Sequence, residues 1–193
     1  MSSAPAELQS VIDLLGDYKG QWAIAGGWAI DLFLGRSTRA HADVDIAVFR
    51  DQQAELRATF STFEFRLAID GQLVDWERGR VLELPLHEIH ATSPIGTIEF
   101  LLNERRDDRW VYRRDARIER PLSRAIVRSS AGPLLAPEIV LLYKSKEPRA
   151  TDDADLANTI PQLPGEARAW LAAALELSAP SHPWIQRLKS EHT

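Results

Sequence analysis

Apolar residues recur along this chain with two different periods. In residues 7–15, Leu8, Val11, Ile12, Leu14 and Leu15 fall at helical spacing, the i, i+3, i+4 signature of a helix with one buried face. Residues 22–25 form a short apolar run that ends at Gly26 and Gly27, which reads as a strand followed by a break. Residues 28–34 place Trp28, Ile30, Leu32, Phe33 and Leu34 in a short, mostly apolar helix, and Gly35 stops it as a C-terminal cap. A period of two then takes over. Residues 43–49 alternate as Asp, Val, Asp, Ile, Ala, Val and predict a strand. Residues 51–60 return to a helix on Ala54, Leu56 and Ala58. Phe63, Phe65, Leu67 and Ile69 alternate with polar residues as in a half-buried strand, Gly71 turns the chain, and residues 73–76 form the hairpin partner. Residues 96–102, 110–113 and 125–128 predict three more strands.

The pattern changes after Gly132 and Pro133. Pro137 suits the first turn of a helix, which continues through residues 138–146 on Ile139, Val140, Leu141, Leu142 and Tyr143. Residues 152–160, 166–177 and 184–189 predict further helices, separated by Pro161, Pro164, Pro180 and Pro183. The expectation is an α+β body over residues 1–132 and a helical segment over residues 133–193 packed against it.

Composition narrows the class. The 193 residues, 45% of them apolar, are enough to bury a core without staples. The absence of Cys excludes disulfides, thiol nucleophiles and zinc–thiolate sites. No apolar stretch approaches a membrane span, and no basic stretch leads into an apolar run near the start. A soluble, cytoplasmic protein is expected, without a membrane partner. The net charge of −5 argues against a duplex-DNA binder, and nucleic acid is not expected as a partner. The charge is uneven: residues 1–100 carry 8 basic and 15 acidic side chains, whereas nine arginines fall between Arg105 and Arg128. That segment reads as solvated β-structure, with binding of an anionic partner as the alternative.

The chemistry concentrates in two short stretches. Asp43 and Asp45, two apart on a strand, share one face roughly 6.5–7 Å apart, while Val44, Ile46 and Val48 anchor the other. Paired carboxylates on a half-buried strand repel one another unless a cation offsets them. Mg²⁺ favours one or two carboxylates plus substrate phosphates. Gly26-Gly27, between a strand and a helix, leaves backbone N–H groups free to meet a phosphate at the helix N-terminus. The plain alternative is a tight turn that binds nothing.

Taken together, Gly26-Gly27-Trp28-Ala29-Ile30-Asp31-Leu32, Gly35-Arg36-Ser37-Thr38-Arg39 and His41-Ala42-Asp43-Val44-Asp45-Ile46-Ala47-Val48 resemble the nucleotidyltransferase core of the DNA polymerase β superfamily. The resemblance is to its aminoglycoside nucleotidyltransferase branch, the antibiotic-resistance enzymes. It is strong over residues 22–49, thins through residues 50–95, and resumes weakly at residues 98–102 and 135–155. It implies a small mixed sheet with helices on one side. It also implies Mg²⁺-dependent transfer of a nucleoside monophosphate from a nucleoside triphosphate, ATP first, to a hydroxyl of a small, aminoglycoside-like molecule, by a monomer or homodimer.

Such enzymes carry a third carboxylate beside the Asp pair. Glu99, between Ile98 and Phe100 on an apolar strand, is the candidate, with Asp75 the rival and Glu83 a weaker one. The family position is often Asp, so Glu is a departure. Asp43, Asp45 and Glu99 are then the metal-binding and catalytic set. The resemblance also implies a lysine reaching the triphosphate from the tail, with Lys144 preferred to Lys146, and Arg39 as a phosphate clamp beside Gly26 and Gly27. His41 reads as a hydrogen-bonding residue at the strand entry. Two further readings stand beside the enzyme: a non-catalytic nucleotide-binding or antitoxin-like module on the same fold, and a nucleic-acid-modifying enzyme, disfavoured by the charge.

Overall fold

The alternation of residues 44–49 builds the middle of the molecule. In the computed structural model, which describes residues 6–93 and 96–190, this stretch is strand β2 (Val44–Phe49). Residues 1–5, read above for a leader, lie outside the described residues. Strand β1 (Trp22–Ile24) pairs with β2 antiparallel, and β6 (Gly96–Arg106) pairs with it parallel. Beyond β6 lie β5 (Glu88–Ser93), β3 (Glu64–Ile69) and the edge strand β4 (Gln72–Asp75). Beyond β1 lie β10 (Gly132–Leu135), parallel to it, and β9 (Ile126–Ser129). The end of β6 also pairs with β7 (Arg109–Val111), and β7 with β8 (Glu119–Pro121). Among the described residues the sheet is therefore mixed, with ten strands.

Helices cover it on both faces. On one, Val44, Ile46 and Val48 pack with Phe100 and with Leu8 and Val11 of α1 (Ala6–Leu14) and Leu56 of α3 (Gln53–Thr59). On the other, Ala47 and Phe49 pack with Trp110 and with α5 (Pro137–Lys144), α7 (Gly165–Ser178) and α8 (Trp184–Lys189). The expected mixed α+β class holds, but with helices on two sides rather than one. The reason is that β2 is apolar at Ala47 and Phe49 as well as at its anchoring valines and isoleucine, and each apolar layer needs cover.

The remaining helices are α2 (Gly26–Leu34), α4 (Leu122–Ala125) and α6 (Ala150–Thr159). Gly35 closes α2 with φ +67, the left-handed cap expected of it. Strands β5, β8 and β10 stand where the sequence pattern marks none. The boundary expected between residues 132 and 133 falls inside β10, whose Leu134 sits opposite Ile24 of β1. A buried ion pair ties body to tail nearby: Arg120 Nη2 lies 2.6 Å from Glu138 Oε1, both side chains 5% exposed or less, with the guanidinium over the Trp170 ring at 4.9 Å.

Candidate active site

The local sequence explains how the site opens. Ala25 follows β1 and caps α2 without a side-chain hydrogen bond; its N–H donates to the Asp45 carbonyl at 2.8 Å. Gly26 then turns the chain with φ +55, a conformation that a side chain disfavours. Its Cα packs so closely on the Asp45 carboxylate that a methyl group there would overlap it. At Gly27 a methyl would overlap the His41 imidazole and the Arg39 guanidinium. The first turn of α2 therefore presents uncapped N–H groups beside Asp45, with nothing but backbone between them.

Register does the rest. In the parallel pair β2–β6, Asp45 stands opposite Glu99, and the two carboxyl groups share a hydrogen bond. Across the antiparallel pair β5–β6, Glu99 stands opposite His90. His90 in turn stands opposite Arg66, and Arg66 opposite Asp75. One row of polar residues thus crosses five strands on a single face. Neighbouring strands are about 4.8 Å apart, which puts Asp75 roughly 14 Å from Glu99, on an exposed edge with Arg66 between them. Glu83 does not line the cleft at all. Of the three candidates for a carboxylate beside Asp45, only Glu99 touches it.

Asp43 is exposed, just before β2, and its charge bears on both partners. Burial, with the charge of Asp45 added, pushes Glu99 up to about 7. Burial also raises Asp45, against the opposing pull of the Glu99 hydrogen bond and of Lys144. Two carboxylates this close hold a proton between them when no cation is present. The donor set is all oxygen and carries excess negative charge, which fits a hard divalent cation such as Mg²⁺. His90 Nε2 lies 2.7 Å from Glu88 Oε1 and its Nδ1 3.6 Å from Glu99 Oε1, so the imidazole holds both carboxylates on this side.

The cleft has a volume of about 340 Å³ and is lined by Gly26, Asp45 and Glu99 on one wall, and by Tyr143, Lys144 and Arg149 on the other. Lys144 Nζ sits 2.6 Å from Asp152 Oδ1 and 3.0 Å from Asp155 Oδ2, both buried. Arg39 is not in that lining; its Nη2 lies 3.5 Å from Asp155, beside Gly27. His41 Nε2 donates to the Asp31 carboxylate at 2.6 Å and the ring packs on Trp28, which pins the loop 35–43 to α2, as its reading as a hydrogen-bonding residue expects. The structure thus gathers Gly26, Asp45, Glu99 and Lys144 in one cleft, with Asp43, Gly27 and Arg39 around it. A larger hollow of about 410 Å³, lined by Arg57, Trp76 and Arg78, lies on the other face and has no carboxylate in its lining.

Several residues in the cleft escape sequence reasoning. Glu88 sits in the lining on β5, with His90 behind it against Glu88 and Glu99, and the only signal of β5 is the alternation of Ile89 and Ala91. Arg113 and Arg114 belong to the segment read as solvated. Most of that segment is indeed surface ion pairs, such as Arg105–Asp51 and Arg117–Asp115.

Solved structures share this fold. The lincomycin-bound lincosamide adenylyltransferase LnuA superposes with a TM-score of 0.55 at 17% identity, over 82% of this chain and 97% of its own. ANT(2'')-Ia does so in solution with 0.60 at 16% identity, over 94% and 95%. Its crystal structure with adenylyl-2''-tobramycin gives 0.58 at 16%, over 91% and 100%. At these identities the likeness is one of fold. No curated protein sequence matches the chain significantly. The sequence profile of the aminoglycoside-2''-adenylyltransferases, however, matches residues 7–159, most of the chain. The chain belongs to the aminoglycoside-2''-adenylyltransferase family.

Proposed function

We propose that the cleft transfers the adenylyl group of ATP to a hydroxyl of a small acceptor, with Mg²⁺ held by Asp43, Asp45 and Glu99. Nucleotidyl transfer follows from the family; the nucleotide, the metal and the residue roles are this reading's own. The observation that carries it is the Asp45–Glu99 contact beside the uncapped N-terminus of α2. A structural role for two touching carboxylates would call for a protein cation between them. Lys144 is committed to Asp152 and Asp155, and His90 reaches Glu99 alone of the two and is shared with Glu88.

When bound, the cation would neutralise phosphate oxygens and polarise the α-phosphorus. The N–H groups of Gly26 and Gly27 receive phosphate oxygens, and Arg39 and Lys144 flank them. Glu99 takes the proton of the acceptor hydroxyl. The hydroxyl oxygen bonds to the α-phosphorus, the bond to the β-phosphate oxygen breaks, and pyrophosphate leaves. Supply of ATP suits a cytoplasmic protein. No helix among the described residues is long and apolar enough to cross a membrane. The partners in this reading are ATP and the acceptor, and the chain acts as a monomer or homodimer.

Pyrophosphate release from ATP and Mg²⁺, measured over a panel of hydroxyl-bearing acceptors, tests this reading. Release that stops on chelation and in Glu99→Gln is the expected result. Tight ATP binding with no release from any acceptor would hand the site to the non-catalytic module.

A further inference from the structure

Two buried carboxylates, one turn apart on α6, face the cations of the cleft, and they are used differently. Asp152 and Asp155 are each 2% exposed. Asp152 is saturated. One of its oxygens accepts from Lys144 Nζ at 2.6 Å, and the other from the Arg149 N–H at 3.0 Å and Nε at 3.1 Å, which closes the first turn of the helix. Asp155 caps nothing. Its Oδ2 is buried without a hydrogen bond, although Lys144 Nζ lies 3.0 Å away and Arg39 Nη2 3.5 Å. Arg39 Nε is likewise buried and unbonded. Buried polar atoms left short of hydrogen bonds are costly in a pair that only holds a fold together.

The two cations come from distant parts of the chain. Arg39 belongs to the loop 35–43 and lies against Gly27, whereas Lys144 ends α5 and lines the cleft with Gly26. Side by side they repel. Among the described residues Asp155 is the one carboxylate within ion-pair distance of Arg39, and it is shared with Lys144. In the nucleotidyl-transfer reading the α-phosphorus belongs beside Asp45 and Glu99, which leaves the outer phosphates to the α2 turn and its cations. We propose that Asp155 is a positioning residue for the nucleotide: it holds Arg39 and Lys144 together at the start of α2, so that both meet the β- and γ-phosphates. That role rests on the nucleotidyl-transfer reading and adds to it a side chain that touches no substrate. Charge contact without directed hydrogen bonds keeps the cations in place, yet leaves N–H groups of both free to turn to phosphate oxygens.

The test separates the outer phosphates from the rest of the nucleotide. A non-hydrolysable ATP analogue and AMP, which lacks those phosphates, are each titrated by calorimetry into the protein with Mg²⁺. Asp155→Asn keeps the shape and removes the charge; it should weaken the analogue about tenfold or more and AMP less than about twofold. Asp155→Glu shifts the carboxylate by one methylene and should show the same selective loss, about threefold or more, which keeps the test open where the asparagine variant does not fold. Adding Arg39→Gln to Asp155→Asn should cost less than Arg39→Gln costs alone, because the arginine has already lost its hold. A parallel loss of both ligands, or a lowered melting temperature with unchanged affinities, marks an acid that serves the fold alone and overturns the proposal. So do fully additive losses in the double variant. Wild type that binds neither ligand is a different result: it strikes the nucleotidyl-transfer reading, and the role of Asp155 falls with it.

Discussion

Asp45 and Glu99 stand opposite each other on parallel neighbouring strands and share a hydrogen bond, although both are acids. Such a contact holds only with a proton or a cation between the two groups. The protein therefore carries a built-in demand for positive charge at one spot, and the first prediction measures it. Mg²⁺ with a non-hydrolysable ATP analogue should raise the melting temperature by several degrees, through linkage of binding to stability. The double variant Asp43→Asn/Asp45→Asn should lose that rise and, without metal, melt no lower than wild type. A double variant with an undiminished rise would end the metal assignment.

The same contact predicts a pH dependence. Burial and Asp45 hold folded Glu99 near 7, against 4.5 for an ordinary glutamate. Below pH 4.5 both the folded and unfolded states carry the proton, and nothing is lost. As the pH rises toward 7 the unfolded chain releases its proton first, so the folded state falls in relative stability until it too has ionised. A shift of this size is worth on the order of 3 kcal/mol at full effect, less with the solvent screening of a partly exposed side chain. Metal-free protein should melt at a lower temperature at pH 8 than at pH 5, and Glu99→Gln should flatten much of that fall. An equally steep fall in Glu99→Gln would show that another group titrates.

Gly26 and Gly27 separate the turn from the cradle. Gly26→Ala meets both a left-handed φ and the Asp45 carboxylate, so it should cost about 1–3 kcal/mol of stability and displace Asp45. Gly27→Ala has no left-handed φ to strain, and it meets the Arg39 guanidinium and the His41 imidazole, so the loop 35–43 has to shift. It should fold with a smaller loss, yet weaken ATP-analogue affinity tenfold or more. Urea unfolding and calorimetry on the two variants give the comparison; equal binding losses scaled to stability would mean that the glycines serve the turn alone.

The Arg120–Glu138 pair predicts a strong, one-sided effect far from the chemistry. Glu138→Gln leaves the buried guanidinium only its 3.5 Å contact with the exposed Glu166, at a cost of about 3 kcal/mol. Replacing both partners, Arg120→Met with Glu138→Leu, should cost less than the single change, because no charge stays behind. Denaturant titrations of wild type and the two variants decide it, and a double variant less stable than Glu138→Gln would show that the pair stabilises the fold by its attraction.

What is legible in the sequence depends on how local each feature is. Asp43, Asp45, Gly26 and Gly27 declare themselves because their chemistry lies within twenty residues and on two elements. Glu99 is visible as a charge in an apolar strand, but its preference over Asp75 needs the β2–β6 register, which no local pattern carries. Strand β5 is nearly silent, since Ile89 and Ala91 are its only inward apolar pair, and His90 is lost with it. Strand β10 hides in Gly132-Pro133, a pair that reads as a linker. Arg113 looks like its solvated neighbours; only the arrival of Tyr143 from α5 encloses it. Lys144 is expected from the tail, whereas its two buried acids come from the next helix.

The five-strand row from Asp75 to Asp45 has a consequence for how this protein can change. Side chains on a strand take alternate faces, so the site depends on parity: whether the count of residues before Glu99 in β6 is odd or even. A single residue inserted between Gly96 and Ile98 would send Glu99 into the apolar layer that holds Ile46 and Phe100, and turn an isoleucine toward Asp45. An insertion of two would restore the face but leave the carboxylates about 7 Å out of step. Substitutions can tune this cleft gradually, but a change of length in β6 can only keep it or abolish it.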